Sequence, residues 1–171
     1  NLNDIVRDFT GMLSRTLRGN ITIQNTLCDN PGSIEGDPIQ IEQIILNLAL
    51  NSQDAMPQGG IITIETSRVM IEEDFAKGYE NITPGPYILL SISDSGSGID
   101  PAIVDRIFDP FFTTKDLGKG TGLGLSTVYG IVKQHRGMIH VYSEKVNGTV
   151  FKIYLPVNDR KIEHKTRPDI K

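Results

Sequence analysis

The sequence has a single cysteine, no excess of basic residues and no long apolar run. One thiol, Cys28, cannot form a disulfide within the chain and leaves a zinc–cysteine cluster without its usual ligands, so we expect a reducing, cytoplasmic setting. The formal net charge of −4 offers no positive field to nucleic-acid phosphates, so no nucleic-acid partner is expected. Because a membrane-spanning helix needs about 20 consecutive apolar residues, we expect no direct membrane contact, with any anchor of a parent protein outside this chain.

The composition is that of an ordinary globular domain, with 38% hydrophobic and 22% charged residues among 171. That length is enough for one domain with its own core, which we expect to be monomeric in isolation. We place this domain at residues 1–157 and interpret the charged residues 158–171, which are poor in apolar side chains, as a polar tail or linker.

Helical and strand patterns alternate along the chain, but strand patterns also follow one another directly. Apolar residues at helical spacing, and a proline after a capping aspartate at Asp37-Pro38, predict helices, whereas alternating apolar residues predict strands. Helices are predicted over 2–17, 38–56, 101–107 and 123–134, strands over 21–27, 61–69, 87–94, 138–144 and 149–156, and a surface excursion over 70–86. This order predicts an α/β (α+β) two-layer sandwich, with helices packed on one face of a mixed β-sheet.

The helix predicted over 38–56 has two faces of different character. Its apolar face, which we expect to be buried, consists of Ile41, Ile44, Ile45 and Leu48. Its polar face, at spacings of three and four residues, consists of Gln40, Gln43, Asn47, Asn51 and Asp54. A solvated surface is the plain interpretation of that polar face. The functional one is that amide oxygens point into a cleft, where they can ligate Mg²⁺.

The sequence DSGSGI (94–99) directly follows the most apolar strand pattern. A carboxylate at the strand end, Asp94, can accept a hydrogen bond from an exocyclic amine such as that of adenine. Gly96 and Gly98 would let the backbone approach a flat ligand or adopt positive φ. An ordinary strand-to-helix turn favours the same residue types, so both interpretations stay open here.

Two further stretches precede the last predicted helix. In FDPFFTTK (108–115), three phenylalanines within five residues indicate a hydrophobic anchor for a loop, and Lys115 can reach a phosphate. In GKGTGLGLS (118–126), alternating glycines lead into a helix whose free N–H groups favour an anion, with Lys119 adding positive charge. A flexible linker is the alternative. A Walker A loop is excluded because Lys119 is followed by glycine rather than by serine or threonine.

Taken in order, NLALNSQDAM, DSGSGI, FDPFFTTK, GKGTGLGLS and GTVFKIYLP strongly resemble the N, G1, F, G2 and G3 boxes of the ATP-binding catalytic domain of sensor histidine kinases. The resemblance extends from about Asn3 to Pro156. The wider superfamily also contains DNA gyrase, MutL-type repair ATPases and heat-shock chaperone ATPases. The resemblance implies a Bergerat-type ATP-binding fold with a flexible ATP lid, and ATP and Mg²⁺ as cofactors.

The resemblance also implies roles for individual residues. Asn51 resembles the Mg²⁺-binding asparagine, Asn47 lies one turn before it as the second catalytic position, and Asp94 resembles the adenine-reading aspartate, supported by Gly96 and Gly98. The other implied cofactor-binding residues are Asp54, Lys115, the apolar walls Ile99, Phe112 and Leu125, the lid residues Gly118, Lys119, Gly120, Thr121, Gly122, Leu123 and Gly124, and Thr149 at the base.

Three positions distinguish this sequence within the family pattern. Asp54 stands where many members carry a basic residue. In this respect the sequence is similar to a nitrogen-regulator or hybrid-kinase subgroup. The basic residue of the F box is displaced to Lys115. Asn47 stands where the ATP-hydrolysing relatives carry glutamate, and an amide cannot take a proton from water. We therefore expect slow ATP hydrolysis and a γ-phosphoryl group held for an imidazole instead.

None of the three histidines, His135, His140 and His164, lies in the acceptor motif of these kinases. The resemblance therefore implies a protein-histidine kinase domain that binds ATP without phosphorylating itself. Its partners would be a dimerisation domain bearing the acceptor histidine and a response regulator receiver domain. A nucleotide-sensing module without turnover, and an ATPase of the gyrase or chaperone type, are the alternatives.

Overall fold

A computed structural model describes residues 1–158, so the predicted tail, apart from Asn158, lies outside the described residues. The elements follow one another in mixed order. They are α1 Leu2–Thr16, β1 Ile21–Leu27, α2 Pro38–Asp54, β2 Gly60–Ile71, α3 Glu73–Ala76, β3 Gly85–Asp94, α4 Gly124–Gln134, β4 Met138–Ser143 and β5 Thr149–Pro156. No helix among these residues is long and apolar enough to cross a bilayer.

The strands form one mixed sheet in the order β1-β2-β3-β5-β4. Strands β1 and β2 pair in parallel, because α2 connects them by a crossover, and the remaining neighbours pair antiparallel. Residues of α1, α2 and α4 share one hydrophobic core with the inward side chains of the sheet. The predicted sandwich, with helices packed on one face of a mixed sheet, is therefore confirmed.

The central strands turn their buried apolar residues at alternate positions towards the helices, and only in β5 does burial itself alternate strictly. In β3, Ile88, Leu90 and Ile92 are buried against the helices, and in β5 alternate residues are buried in the same way. The apolar face of α2 supplies the opposing layer of this core, and its members are fully buried, namely Ile41, Ile44, Ile45 and Leu48.

Helix α2 begins as the sequence indicates. The Asp37 side chain accepts a hydrogen bond from the Ile39 N–H at 2.9 Å, and Pro38 occupies the first turn, where a missing N–H costs nothing. The helix ends at Asp54, two residues before the predicted end. Its C-terminal end is the part that reaches the site described below.

Two predicted segments differ from the structure. The helix predicted near 101–107 is only a single 3₁₀ turn, Val104–Arg106. The excursion predicted over 70–86 is shorter, because β2 continues to Ile71 and β3 starts at Gly85. A second small core holds these strand extensions in place on the sheet face away from the long helices, and it consists of Ile71, Ala76, Ile82, Tyr87 and Met138.

His140 of β4 lies beside this second core, with its ring edge-on to Tyr79 and Tyr154 at centroid distances of 5.2 and 6.0 Å. Burial lowers the pKa of His140 below its ordinary 6.5, and the nearby charge of Lys133 lowers it further. The unfolded chain therefore binds more protons between the lowered pKa and about 6.5, so the free energy of unfolding should fall as the pH drops through that window.

Replacing His140 with phenylalanine keeps an aromatic ring but removes the titrating group. We expect His140→Phe to lose less stability than the wild type between pH 7.5 and pH 5.5, as measured by urea unfolding at both values. Equal losses in the two proteins would show that His140 is not the group responsible.

Candidate functional site

A cavity of about 540 Å³ lies beside the C-terminal half of α2, within the size range of small-molecule sites. Its walls combine α2, the segment after β3, the loop leading into α4, and the start of β5. Fourteen predicted site residues line it: Asn47, Asn51, Asp54, Asp94, Gly98, Ile99, Phe112, Lys115, Gly120, Thr121, Gly122, Gly124, Leu125 and Thr149. Four predicted residues do not, namely Gly96, Gly118, Lys119 and Leu123.

Asp94, the last residue of β3, has its carboxylate fixed by two donors. The Gly96 N–H donates to Oδ1 at 2.9 Å, and the Ser52 hydroxyl of α2 donates to Oδ2 at 2.9 Å. Ser52 is itself only 2% exposed. Since a carboxylate can accept about four hydrogen bonds, acceptor capacity is left for a ligand in the cavity.

The polar face of α2 divides into two parts. Asn47, Asn51 and Asp54 line the cavity, whereas Gln40 donates to Gln134 of α4 and Gln43 is exposed to solvent. The cavity therefore receives only the C-terminal half of this polar face.

The asparagines offer a donor set suited to a hard cation that arrives with its own ligands. The Asn51 Nδ2 atom is buried without a hydrogen-bond partner among the described residues, so no acceptor there holds that end of the amide. Those residues also contain no cluster of three or more His, Cys, Asp or Glu side chains able to hold a metal alone. This arrangement fits Mg²⁺, which usually keeps several waters and binds through few protein oxygens together with phosphates.

The loop between Phe111 and α4 folds back on itself. At Gly122, φ is +67° and a Cβ would overlap the backbone of Phe111, so only glycine fits there. Of the two predicted phosphate-reaching lysines, Lys119 does not line the cavity and pairs with Asp116 at 3.2 Å. Lys115 lines the cavity and forms an ion pair with Asp54.

The glycines after β3 serve close packing within the protein. A Cβ at Gly96 would lie 2.8 Å from Ala55 of the α2 C-terminus, and Gly96 does not line the cavity. At Gly98, φ is +73° and a Cβ would overlap the Glu144 carbonyl in the turn between β4 and β5. That turn is also held by a hydrogen bond of 2.8 Å from the Val146 N–H to the Ser97 carbonyl.

Thr149, the first residue of β5, pairs with Asp94 in the sheet register. It is 4% exposed, and its hydroxyl lies 3.0 Å from that of Ser143. Phe151, two residues further on the same strand face, also lines the cavity, and strand periodicity could have identified it. The other lining residues that sequence reasoning missed are Leu50, Ala55, Ser97, Ile103, Ile107, Thr113 and Thr114.

Comparison with known proteins places this fold and cavity in a family. Residues 36–159 match the family described as histidine kinase-, DNA gyrase B- and HSP90-like ATPase. The chain belongs to this ATPase family. The predicted family is thereby confirmed, and ATP is the nucleotide that it implies.

Within the ATPase family, the chain is similar to sensor kinases. It is 40% identical over 168 residues to the sensor kinase CckA of Brucella abortus, which covers 98% of this chain and 18% of that protein. It is 35% identical over 158 residues to the sensor histidine kinase ZraS of Escherichia coli, which covers 92% of this chain and 30% of that protein. The chain thus spans less than a third of either relative.

Solved structures agree with this placement. The nucleotide-free catalytic domain of the histidine kinase ThkA matches with a TM-score of 0.71 and 30% identity over 91% of this chain and 92% of that one. The mycobacterial sensor histidine kinase MprB matches with a TM-score of 0.68 and 26% identity over 90% and 93% of the respective chains. The chain is a histidine-kinase-type ATPase domain.

Proposed function

We propose that this domain binds ATP with Mg²⁺ in the cavity and transfers the γ-phosphoryl group to a histidine on a separate dimerisation domain of its parent kinase. That histidine then passes the group to an aspartate of a response regulator. The observation that carries the proposal is one cavity whose walls include Asp94, Asn51 and the glycines that precede α4.

The base-binding part of the proposal rests on Asp94. Its carboxylate, held by Ser52 and the Gly96 N–H, accepts the hydrogen bond of the adenine amino group with its remaining acceptor capacity. The apolar cavity walls then contact the two faces of the base, and they are Ile99, Phe112 and Leu125. Thr149 completes the base-binding set next to Asp94.

The phosphate-binding part rests on α2 and the start of α4. Asn51, with Asn47 one turn before it, would hold the Mg²⁺, and the bound cation would supply neutralisation of the phosphate charge. The free N–H groups at Gly124 and Leu125, at the positive end of the α4 dipole, favour the phosphate anion. Lys115 contributes the positive charge of the loop.

The cavity favours transfer over hydrolysis. Hydrolysis needs a base to activate water, and Asn47 cannot take a proton. The lining carboxylates among the described residues are Asp54 and Asp94. Asp54 is paired with Lys115, and Asp94 is assigned in this proposal to the adenine amino group, away from the phosphate end of the nucleotide. A neutral imidazole nitrogen attacks with its own lone pair and needs no such base, so positioning and charge neutralisation suffice.

The acceptor in this proposal comes from another domain. His135 bonds the Ile131 carbonyl at 2.8 Å through Nδ1, His140 lies between two tyrosine rings, and neither lines the cavity. His164 lies outside the described residues. The domain alone therefore should not phosphorylate itself.

The decisive experiment supplies γ-labelled ATP and Mg²⁺ with and without the acceptor-bearing dimerisation domain of the same kinase. We expect label on the acceptor histidine, none on the ATPase domain, and only slow phosphate release without the acceptor. An acceptor whose histidine is replaced by alanine is the control. Rapid acceptor-independent hydrolysis would favour the gyrase-type alternative, and ATP binding with an unlabelled acceptor would favour a nucleotide-sensing module.

A further inference from the structure

The charges on the cavity wall are unevenly distributed for a site that accepts a polyanion. Among the described residues that line it, Lys115 is the only cation, whereas Asp54 and Asp94 are both acidic. The one cation is moreover engaged, because its ammonium group bonds the Asp54 carboxylate directly. The described residues of the wall therefore offer a phosphate chain no unpaired positive side chain.

Asp54 is in an electrostatically unfavourable place. It is the last residue of α2, at the negative end of the helix dipole, and the last turn of α2 contains no basic residue. Compensation comes from other elements: Lys115 bonds Oδ2, and the Arg18 guanidinium lies 3.9 Å from Oδ1. Lys115 is thus one of two cations, with Arg18, that offset the Asp54 carboxylate at this helix end.

The ion pair also ties the loop to the body of the domain. Gly120 packs on the Lys115 stem, since a Cβ there would lie 2.8 Å from the Lys115 Cδ. Both partners of the pair are partly exposed, with 36% and 39% of their side-chain surface accessible. A contact of this exposure is weak enough for a ligand to displace.

We propose that Asp54 is a positioning residue that sets nucleotide affinity by holding Lys115. The phosphate chain of an entering nucleotide must therefore draw Lys115 away from the Asp54 carboxylate. The inference rests on the proposed function. Asp54 opposes the binding of phosphates in two ways, by occupying the lysine and by its own negative charge. Its effect is confined to ligands that carry phosphates.

Calorimetry with ATP and with adenosine tests this inference. Asp54→Asn should bind Mg-ATP about two- to fivefold more tightly than the wild type, the range that exposed ion pairs span. Adenosine affinity should stay unchanged, which also reports that the variant is folded. Lys115→Gln should weaken ATP binding. In that background Asp54→Asn should raise ATP affinity much less than it does in the wild type, because there is no longer a lysine to release.

A matched control separates the ion pair from a general change in net charge. Asp74→Asn removes the same charge from α3, outside the cavity, where Asp74 pairs at 3.2 Å with Lys77 just after the helix, and it should leave ATP affinity unchanged. If the wild type bound both ligands while Asp54→Asn left ATP affinity equal or weaker, the inference alone would fail. If the wild type bound neither ATP nor adenosine, the proposed function would fail and the inference with it.

Discussion

Asp94→Asn should lower the affinity of this domain for ATP about ten- to a hundredfold, the cost of losing one charge-assisted hydrogen bond to the base. The substitution keeps the size of the side chain but turns one acceptor oxygen into a donor. That donor must then face the Gly96 N–H or the adenine amino group, which can only donate, or turn to Ser52, whose hydroxyl must then accept instead of donating. Calorimetric titration with Mg-ATP measures the loss.

Two comparisons sharpen this test. Ser52→Ala removes a buried hydroxyl that orients Asp94 but leaves the carboxylate in place, so its loss of ATP affinity should be smaller than that of Asp94→Asn. GTP should bind the wild type weakly, because guanine presents a carbonyl oxygen where adenine presents its amino group. An unchanged ATP affinity in Asp94→Asn would remove Asp94 from the base-binding role.

Gly148→Ala should destabilise the domain by about 2–4 kcal/mol, from a strained left-handed backbone together with overpacking. Gly148 has φ +81°, and a Cβ there would overlap the carbonyl oxygen of Asp94. The change acts on the contact between the β4–β5 turn and the end of β3, so it should also perturb the placement of Asp94. The measurement is the free energy of unfolding in urea.

Gly11→Ala is the matched control for that substitution. Gly11 lies on the exposed face of α1, and nothing is within 4 Å of the position that a Cβ would take. The same chemical change should there stabilise the domain by about 0.5–1 kcal/mol, since alanine is the better helix former. A loss of under 1 kcal/mol in Gly148→Ala would mean that the turn shifts to make room.

The elements that the sequence predicted best are those whose signals are local. Helix α2 could be predicted because its cap, its first-turn proline and its apolar face all lie within the helix itself. Strand β1 was predicted with its observed bounds from alternation alone. The end of β2 and the start of β3 pair with each other and were underpredicted, because the small core beside them, with Ile71 and Tyr87, is completed by residues of the excursion itself.

Candidate site residues were identifiable where a family motif marked them, and not where a contact joins distant parts of the chain. Ser52, which holds Asp94, stands 42 positions before it, and no local pattern distinguishes this serine from a surface one. The Asp54–Lys115 pair spans 61 positions. The role of Gly98 as a packing site against Glu144 likewise depends on a turn formed much later in the sequence.

Helix α2 fixes the distance between the two ends of the cavity. Ser52, which holds Asp94, shares this one rigid element with the asparagines Asn47 and Asn51, and each residue along it advances the axis by about 1.5 Å and turns it by about 100°. Deleting one residue between Asn47 and Ser52 would leave Ser52 at Asp94 yet swing Asn47 off the cavity wall. In the proposed complex, the spacing between the base-binding Asp94 and the metal-binding asparagines is therefore set by the helical pitch of α2 rather than by the loop opposite.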